Sequence, residues 1–355
     1  MLHWLDALER DRRLPREGWL ALLCGRTPEL AQEVFARARR TARRAYGTQL
    51  FVRGLIEISN ICKNDCYYCG IRRSNAKAER YRLAQEDVLA CCREGYGLGF
   101  RTFVLQGGED PYYSDERLCA LVEAIKARWP DCAVTLSMGE RSRESYRLLR
   151  RAGADRYLLR HETADGAHYA RLHPPCQTLE NRKRCLWDLK ELGYQVGSGF
   201  MVGSPGQSPE TLAEDLAFLT ELQPQMVGIG PFIPHRDTPF AACPAGSVEE
   251  TLYLLGLIRL LLPGCLLPAT TALNTLDGDG RRRGVLAGAN VVMPNLSPWE
   301  VRGKYMLYNN KAHGGCEAAE AVEQLRASME EIGYTVAVDR GDAKAYNEAD
   351  GEAKG

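Results

Sequence analysis

The chain has 355 residues, 45% hydrophobic and 26% charged, an ordinary composition for a folded chain with a large core. Its 46 Lys and Arg balance 46 Asp and Glu, so no net charge draws it to nucleic acid or to an anionic membrane. Charges break every apolar stretch at the N-terminus, and the longest apolar run, TLYLLGLIRLLLPG (251–264), is too short to span and contains Arg259. A cytoplasmic chain with no membrane segment and no signal peptide is expected.

Residues 1–50 form a helical segment, read from WLDALERDR, REGWLALLC and PELAQEVFARARRTARRAYG. In the third helix Leu30, Val34, Phe35 and Ala38 share one face, arginines take the other, and Gly47 stops it. From 51 to 310 short apolar runs alternate with amphipathic helical stretches. The strands are LFVRGLIEIS (50–59), TFVLQGG (102–108), AVTLSMG (133–139), RYLLRHE (156–162), YQVGSGFMVG (194–203), MVGIGPF (226–232), LLPATTAL (266–273) and ANVVMP (289–294). Eight β/α repeats predict an α/β fold, a complete (β/α)8 TIM-type barrel, in preference to an open doubly wound sheet. A helix over 316–333 lies in a C-terminal helical segment (311–338), and residues 339–355 are expected to be a polar, flexible tail.

Thirteen cysteines are present. Cys24, Cys91, Cys92, Cys119, Cys132, Cys185 and Cys265 fall in apolar-periodic segments and read as small buried hydrophobes. Cys62, Cys66 and Cys69 differ. They stand as C-x3-C-x2-C in SNICKNDCYYCGIRR (59–73), a polar loop after the first strand. Three thiolates suit three irons of a [4Fe–4S] cluster whose fourth iron stays open. The alternative is zinc with a water in the fourth position, but no His or Asp completes the loop.

Polar residues gather at the C-terminal ends of the strands, where a barrel places its active site: Asn60, Gln106, Glu109, Arg160, Glu162, Thr270, Thr271 and Asn295. In LQGGEDP (105–111) the paired glycines permit either a close backbone approach or a plain turn. In YLLRHET (157–163) Arg160 and Glu162 share a strand face and His161 takes the other, which fits a ligand site or a structural ion pair. Arg182 opens the next helix in ENRKRC. SGFMVGSPGQSPETL (198–212) and GIGPFIPHRDTP (228–239) are Gly- and Pro-rich strand ends.

The cysteine spacing and these motifs together resemble the radical S-adenosylmethionine (SAM) superfamily. That resemblance implies an oxygen-sensitive enzyme with one [4Fe–4S] cluster on Cys62, Cys66 and Cys69. SAM would chelate the fourth iron and be reductively cleaved to a 5′-deoxyadenosyl radical. By position in the family's motifs, Gly107, Gly108 and Glu109 would receive the SAM amino group, and Glu162 and Arg182 its ribose and carboxylate. Tyr68, Met201 and Ile233 would lie beside the cofactor.

Within the superfamily, RYLLRHET, GPFIPHRDTP and ANVVMPN are similar to [FeFe]-hydrogenase maturases of the HydE type, over residues 59 to 298. This implies a role in assembling the two-iron subcluster of the hydrogenase, with a HydG-type supplier and a HydF-type scaffold as partners. The substrate would be a small organometallic iron complex carrying cysteine, CO and cyanide. Gln106, Arg160, Thr270, Thr271, Met293 and Tyr305 would be the catalytic residues facing it. Only Cys316 stands where some relatives carry cysteines for a second cluster, so a single cluster is expected; the chain is also expected to be a monomer. The fifth strand reads Gly197-Ser198-Gly199, without the cysteines that sulfur-inserting relatives use. The alternatives are a mutase of the methylornithine synthase type and a non-catalytic iron–sulfur protein.

Overall fold

A computed structural model describes residues 1–311 and 318–344. Three helices, Leu2–Asp11, Arg16–Cys24 and Pro28–Tyr46, open the chain. The Thr27 hydroxyl caps the third, Pro28 occupies its first turn, and Gly47 ends it at φ +63°. Its buried Leu30, Val34 and Ala38 lie against the helix Val248–Leu261. Tyr253 Oη donates to the Leu22 carbonyl at 2.9 Å and Arg12 to that of Leu260 at 2.8 Å, so the N-terminal helices clasp that helix. Cover on both sides explains why TLYLLGLIRLLL is apolar all round. Among the described residues no helix is long and apolar enough to cross a membrane.

The barrel strands are β1 (Gln49–Val52), β2 (Gly54–Ser59), β3 (Thr102–Gly107), β4 (Ala133–Ser137), β5 (Arg156–Leu158) and β6 (Gln195–Ser198). They continue with β7 (Met201–Val202), β8 (Met226–Val227), β9 (Gly230–Pro231) and β10 (Val291–Val292). β1 and β2 are one strand broken at Arg53. β2, β3, β4, β5, β6 and β8 pair in that order, all parallel. Single bridges Met226–Leu266 and Pro268–Val291 carry the wall to β10, which pairs with β1, Phe51 opposite Val291. The wall closes, and the open-sheet alternative falls.

Three expectations need correction. The seventh strand survives only as the bridges at Leu266 and Pro268. Pro268 lacks a ladder donor, and Thr270 already caps the helix Thr271–Leu276. The fifth and sixth strands each split, β6 from β7 and β8 from β9, because Gly199 (φ +147°) lies against Gly228. A Cβ on Gly199 would stand 2.1 Å from the Gly228 carbonyl oxygen. Cys24, expected inside, is exposed, whereas Cys91, Cys92, Cys132, Cys185 and Cys265 are buried.

A further correction concerns the C-terminus. After the helix Ala318–Glu330, β11 (Thr335–Ala337) pairs with the outer end of β1. Residues 339–344, read from composition as the start of a flexible tail, instead stop the bottom of the barrel. Arg156, fully buried, donates to the Arg340 and Gly341 carbonyls and to Asp342, and Gln195 Nε2 donates to Asp342 at 2.7 Å. A buried guanidinium needs a carboxylate and carbonyls around it, and the polar residues of the segment supply them. Residues 345–355 and Cys316 lie outside the described residues.

Candidate active site

The cysteine loop leaves β2 at Ser59 and is tied down before any cofactor is considered. Asn60, fully buried, donates through Nδ2 to the Glu79 and Lys304 carbonyls and accepts from the Tyr81 N–H at 2.8 Å. The Arg80 guanidinium gathers four carbonyls, of Asn60, Ile71, Arg72 and Asn75, at 2.6–3.1 Å. Arg72 grips Asp65 with two 2.7 Å bonds and holds its carboxyl well below the usual range. Gly70 fits because it has no Cβ: one would stand 2.1 Å from the Met306 carbonyl oxygen. The loop is therefore held largely by Asn60, Arg80 and the Arg72–Asp65 pair.

The three thiols are mutually close and poor anions by themselves. Burial pushes Cys66 up to about 12, Arg182 opposing and Cys62 adding to it. Cys69 is raised by burial and then by Cys66 and Cys62. Three adjacent thiolates are tenable only beside a strong positive charge, which iron supplies. Asp65, the one carboxylate inside the loop, is held by Arg72 and Ser74, so it does not complete a fourth zinc position. The donor set thus fits a cluster with one open corner better than zinc.

The Gly-Gly-Glu turn at the end of β3 docks on this loop. A Cβ on Gly108 would meet the Ile61 carbonyl oxygen at 2.2 Å and Cys62 Cβ at 2.7 Å, so Gly108 is bare for the cysteine loop itself. The Glu109 N–H donates to Cys62 Sγ at 3.4 Å. Its carboxylate accepts from the Glu140 N–H at 2.9 Å, meets Lys63 Nζ at 3.2 Å and lies over Gly139 (φ +73°). Gly108→Ala should leave the barrel folded but weaken iron retention roughly 10–100-fold, the scale of outer-shell changes at metal sites. Iron content after gel filtration checks this, and full retention would contradict it.

On the far side, Arg160 and Glu162 form the expected pair at 3.5 Å. They lie past the end of β5 rather than on it, and Glu162 takes φ +66°, bridging Phe200. Arg160 Nε and Nη2 and Glu162 Oε2 are buried without a hydrogen-bond partner among the described residues. Such groups need a ligand or water to complete them. His161 points away, to Ser198 Oγ at 2.9 Å and Asp215 at 3.3 Å. Arg182 donates to Glu140 at 2.5 Å and to the Arg160 carbonyl at 2.6 Å, so it ties the third strand end to the fourth. Burial, with Arg182 nearby, pushes His173 down to about 3, leaving it neutral. Its Nδ1–H then donates to the Tyr169 carbonyl, and Nε2 accepts from Tyr68 Oη at 3.2 Å. Tyr68 also joins Met201, Leu172 and Phe232 in one apolar patch next to buried Ile233.

The residues expected to face substrate divide into groups. Gln106 Nε2 donates to Tyr305 Oη at 3.3 Å. Thr271 and Met293 line one cavity of about 440 Å³ with Asn295 and Lys311. Thr270 spends its hydroxyl on capping the following helix. Sequence reasoning missed Glu57 and Lys311. Glu57 is fully buried, accepts from Asn295 Nδ2 at 2.9 Å and is ion-paired with Lys311 Nζ, which also donates to the Tyr305 carbonyl at 3.0 Å. A lone carboxylate inside LFVRGLIEIS was the available signal for Glu57. Lys311, in a loop, carried none. Glu140 and Gln177 were also missed.

Comparison with known proteins places these features. Residues 56–219 match the Radical SAM superfamily. The chain is 45% identical over 307 residues to the [FeFe] hydrogenase maturase subunit HydE of Thermotoga maritima, covering 86% of this chain and 87% of that protein. It is 31% identical to 3-methylornithine synthase of Methanosarcina acetivorans, covering 77% of each. The solved structure of a methylornithine synthase superposes with a TM-score of 0.80 at 26% identity, covering 99% of both chains.

Proposed function

Since the chain belongs to the radical SAM superfamily, and within it to the HydE hydrogenase maturases, we propose that it is a radical SAM enzyme of hydrogenase two-iron subcluster assembly. The observation that carries this reading is a tied-down loop of three close thiols with no fourth protein ligand among the described residues, beside Glu109 and Glu162. When bound, the [4Fe–4S] cluster and SAM supply a primary carbon radical by one-electron cleavage of the sulfonium. The chain's own residues bind and orient. Glu109 and Glu162 present carboxylates to the ammonium and the ribose of SAM. Arg182, turned to Glu140, serves as a strut for this wall and offers its charge to the cofactor carboxylate. Gly107 lets backbone approach, and Tyr68, Met201 and Ile233 form the apolar wall beside the nucleoside.

The substrate side is assigned to Arg160, Gln106, Thr271, Met293 and Tyr305, with Thr270 holding Thr271 in place. A small iron complex with cysteine, CO and cyanide suits a guanidinium fork whose Nε and Nη2 make no hydrogen bond among the described residues, and a closed barrel that keeps the radical from water. One cluster per chain is proposed, supported by the 62/66/69 triplet; about four irons per chain agrees, and about eight refutes it. The partners proposed are the other maturases of the same assembly. Resemblance to methylornithine synthases sets the runner-up reading, which ornithine-type amino acid turnover would support.

Arg160→Ala should retain SAM binding while lowering turnover roughly 100-fold, as for loss of one preorganised donor. SAM affinity and 5′-deoxyadenosine formation are read side by side. Loss of SAM affinity moves Arg160 to the cofactor wall and contradicts its assignment.

A further inference from the structure

Gln177 lies between the helices Gly166–Leu172 and Leu179–Glu191, in a turn closed by its N–H to the Pro174 carbonyl at 2.9 Å. Its side chain reaches the cysteine loop: the Cys66 thiol donates to Oε1 at 3.4 Å. The residue is 8% exposed, and its Nε2 is buried with no partner among the described residues. A buried amide donor left unmade costs about 1–3 kcal/mol.

These two facts share one resolution. A cysteine that ligates iron is a thiolate, which accepts hydrogen bonds and has none to donate. The contact to Oε1 then loses its proton. A half-turn of the amide about its last, soft torsion exchanges oxygen for nitrogen at nearly the same positions. Nε2–H then faces Cys66 Sγ, and the orphaned donor is satisfied. Arg182, whose charge acts on Cys66, is already engaged with Glu140 and the Arg160 carbonyl, so it does not compete for the sulfur.

We propose that Gln177 is a positioning residue whose side-chain amide donates an N–H···S bond to the cluster-bound Cys66 and so raises the reduction potential of the cluster. The inference rests on the radical SAM reading of the cysteine triplet. Reduction adds negative charge that spreads onto the sulfurs. A donor aimed at one of them stabilises the reduced state more than the oxidised.

The test is a redox titration, followed by electron paramagnetic resonance, of the anaerobically reconstituted full chain and its Gln177→Leu and Gln177→Glu variants, with iron content measured on each. At the wild-type midpoint the reduced-to-oxidised ratio should fall about tenfold in Gln177→Leu, a shift of 59 mV for a one-electron couple. It should fall further in Gln177→Glu, where a carboxylate replaces the donor. Equal midpoints in all three proteins overturn the proposal. If one variant assembles no cluster, the other decides. If neither does while both keep native circular dichroism, the proposal also fails, because a tuning bond is not required for assembly. A wild-type chain that holds no cluster removes the radical SAM reading itself, whereas full clusters with unchanged midpoints remove only the role of Gln177.

Discussion

Cys66→Ala is expected to abolish SAM cleavage and to drop cluster iron to background while the barrel stays folded. The reason lies in how the loop is held. Its backbone is fixed by Asn60, Arg80 and the Arg72–Asp65 pair, none of which touches the Cys66 side chain. The turn bond from the Cys69 N–H to the Cys66 carbonyl, at 3.3 Å, uses backbone alone. The sulfur, its 3.4 Å contact to Gln177 and its hydrogen bond with the Tyr68 side chain are what is lost. Two remaining thiolates leave two irons of a cubane without protein ligands, and such a cluster does not persist. Iron content, visible absorption and 5′-deoxyadenosine, measured anaerobically, check the expectation. A variant that cleaves SAM at the wild-type rate would remove Cys66 from the cluster.

Asp342→Ala is expected to lower the unfolding free energy by roughly 3–5 kcal/mol, the usual consequence of deleting one partner of a buried ion pair. Arg156 is buried and Arg53 lies near it, so the variant leaves two buried guanidinium groups close together without the carboxylate that pairs with Arg156. Burial pulls the Asp342 carboxyl upward, but Arg156, Gln195 and Arg340 together hold it below its usual value. A carboxyl depressed in the folded state stabilises the fold above its unfolded value, and that stability is lost as pH falls through the depressed value. The wild type should therefore lose stability on acidification more steeply than Asp342→Ala. Urea unfolding at neutral pH and at pH values through and below the ordinary carboxylate range reads both effects. Equal midpoints at neutral pH would show that residues 339–344 do not stopper the barrel.

That stopper was invisible in the sequence because polarity is ambiguous. DRGDAK reads as solvated until the barrel supplies two buried arginines for it to meet. Those arginines are legible as oddities in LFVRGLIEIS and DRYLLRH, but Asp342, 186 residues beyond Arg156, is not. The repeat of strand and helix did reveal the closed barrel, since eight runs buried on both faces admit few other arrangements. The strand over 266–273 failed because apolar alternation cannot tell two bridged residues from a strand when a proline and a helix cap share the segment.

The site divides in the same way. Cys62, Cys66 and Cys69 are adjacent in sequence, so their spacing carries the chemistry directly. Glu109 and Glu162 follow strand ends and were readable from the barrel rule. Glu140, Gln177 and Lys311 come from three different loops, and only folding brings them to Arg182, Cys66 and Glu57. The paired glycines permit a close approach or a plain turn by sequence; in the structure Gly108 makes a close approach, and the backbone it admits is that of the cysteine loop.

The central claim, that this chain acts in assembling the two-iron subcluster, is tested by anaerobic maturation of apo-[FeFe]-hydrogenase with the partner maturases and SAM, with and without this protein. The account predicts hydrogenase activity that depends on the protein and disappears with Cys66→Ala. Full maturation without it, or undiminished maturation with Cys66→Ala, would contradict the account.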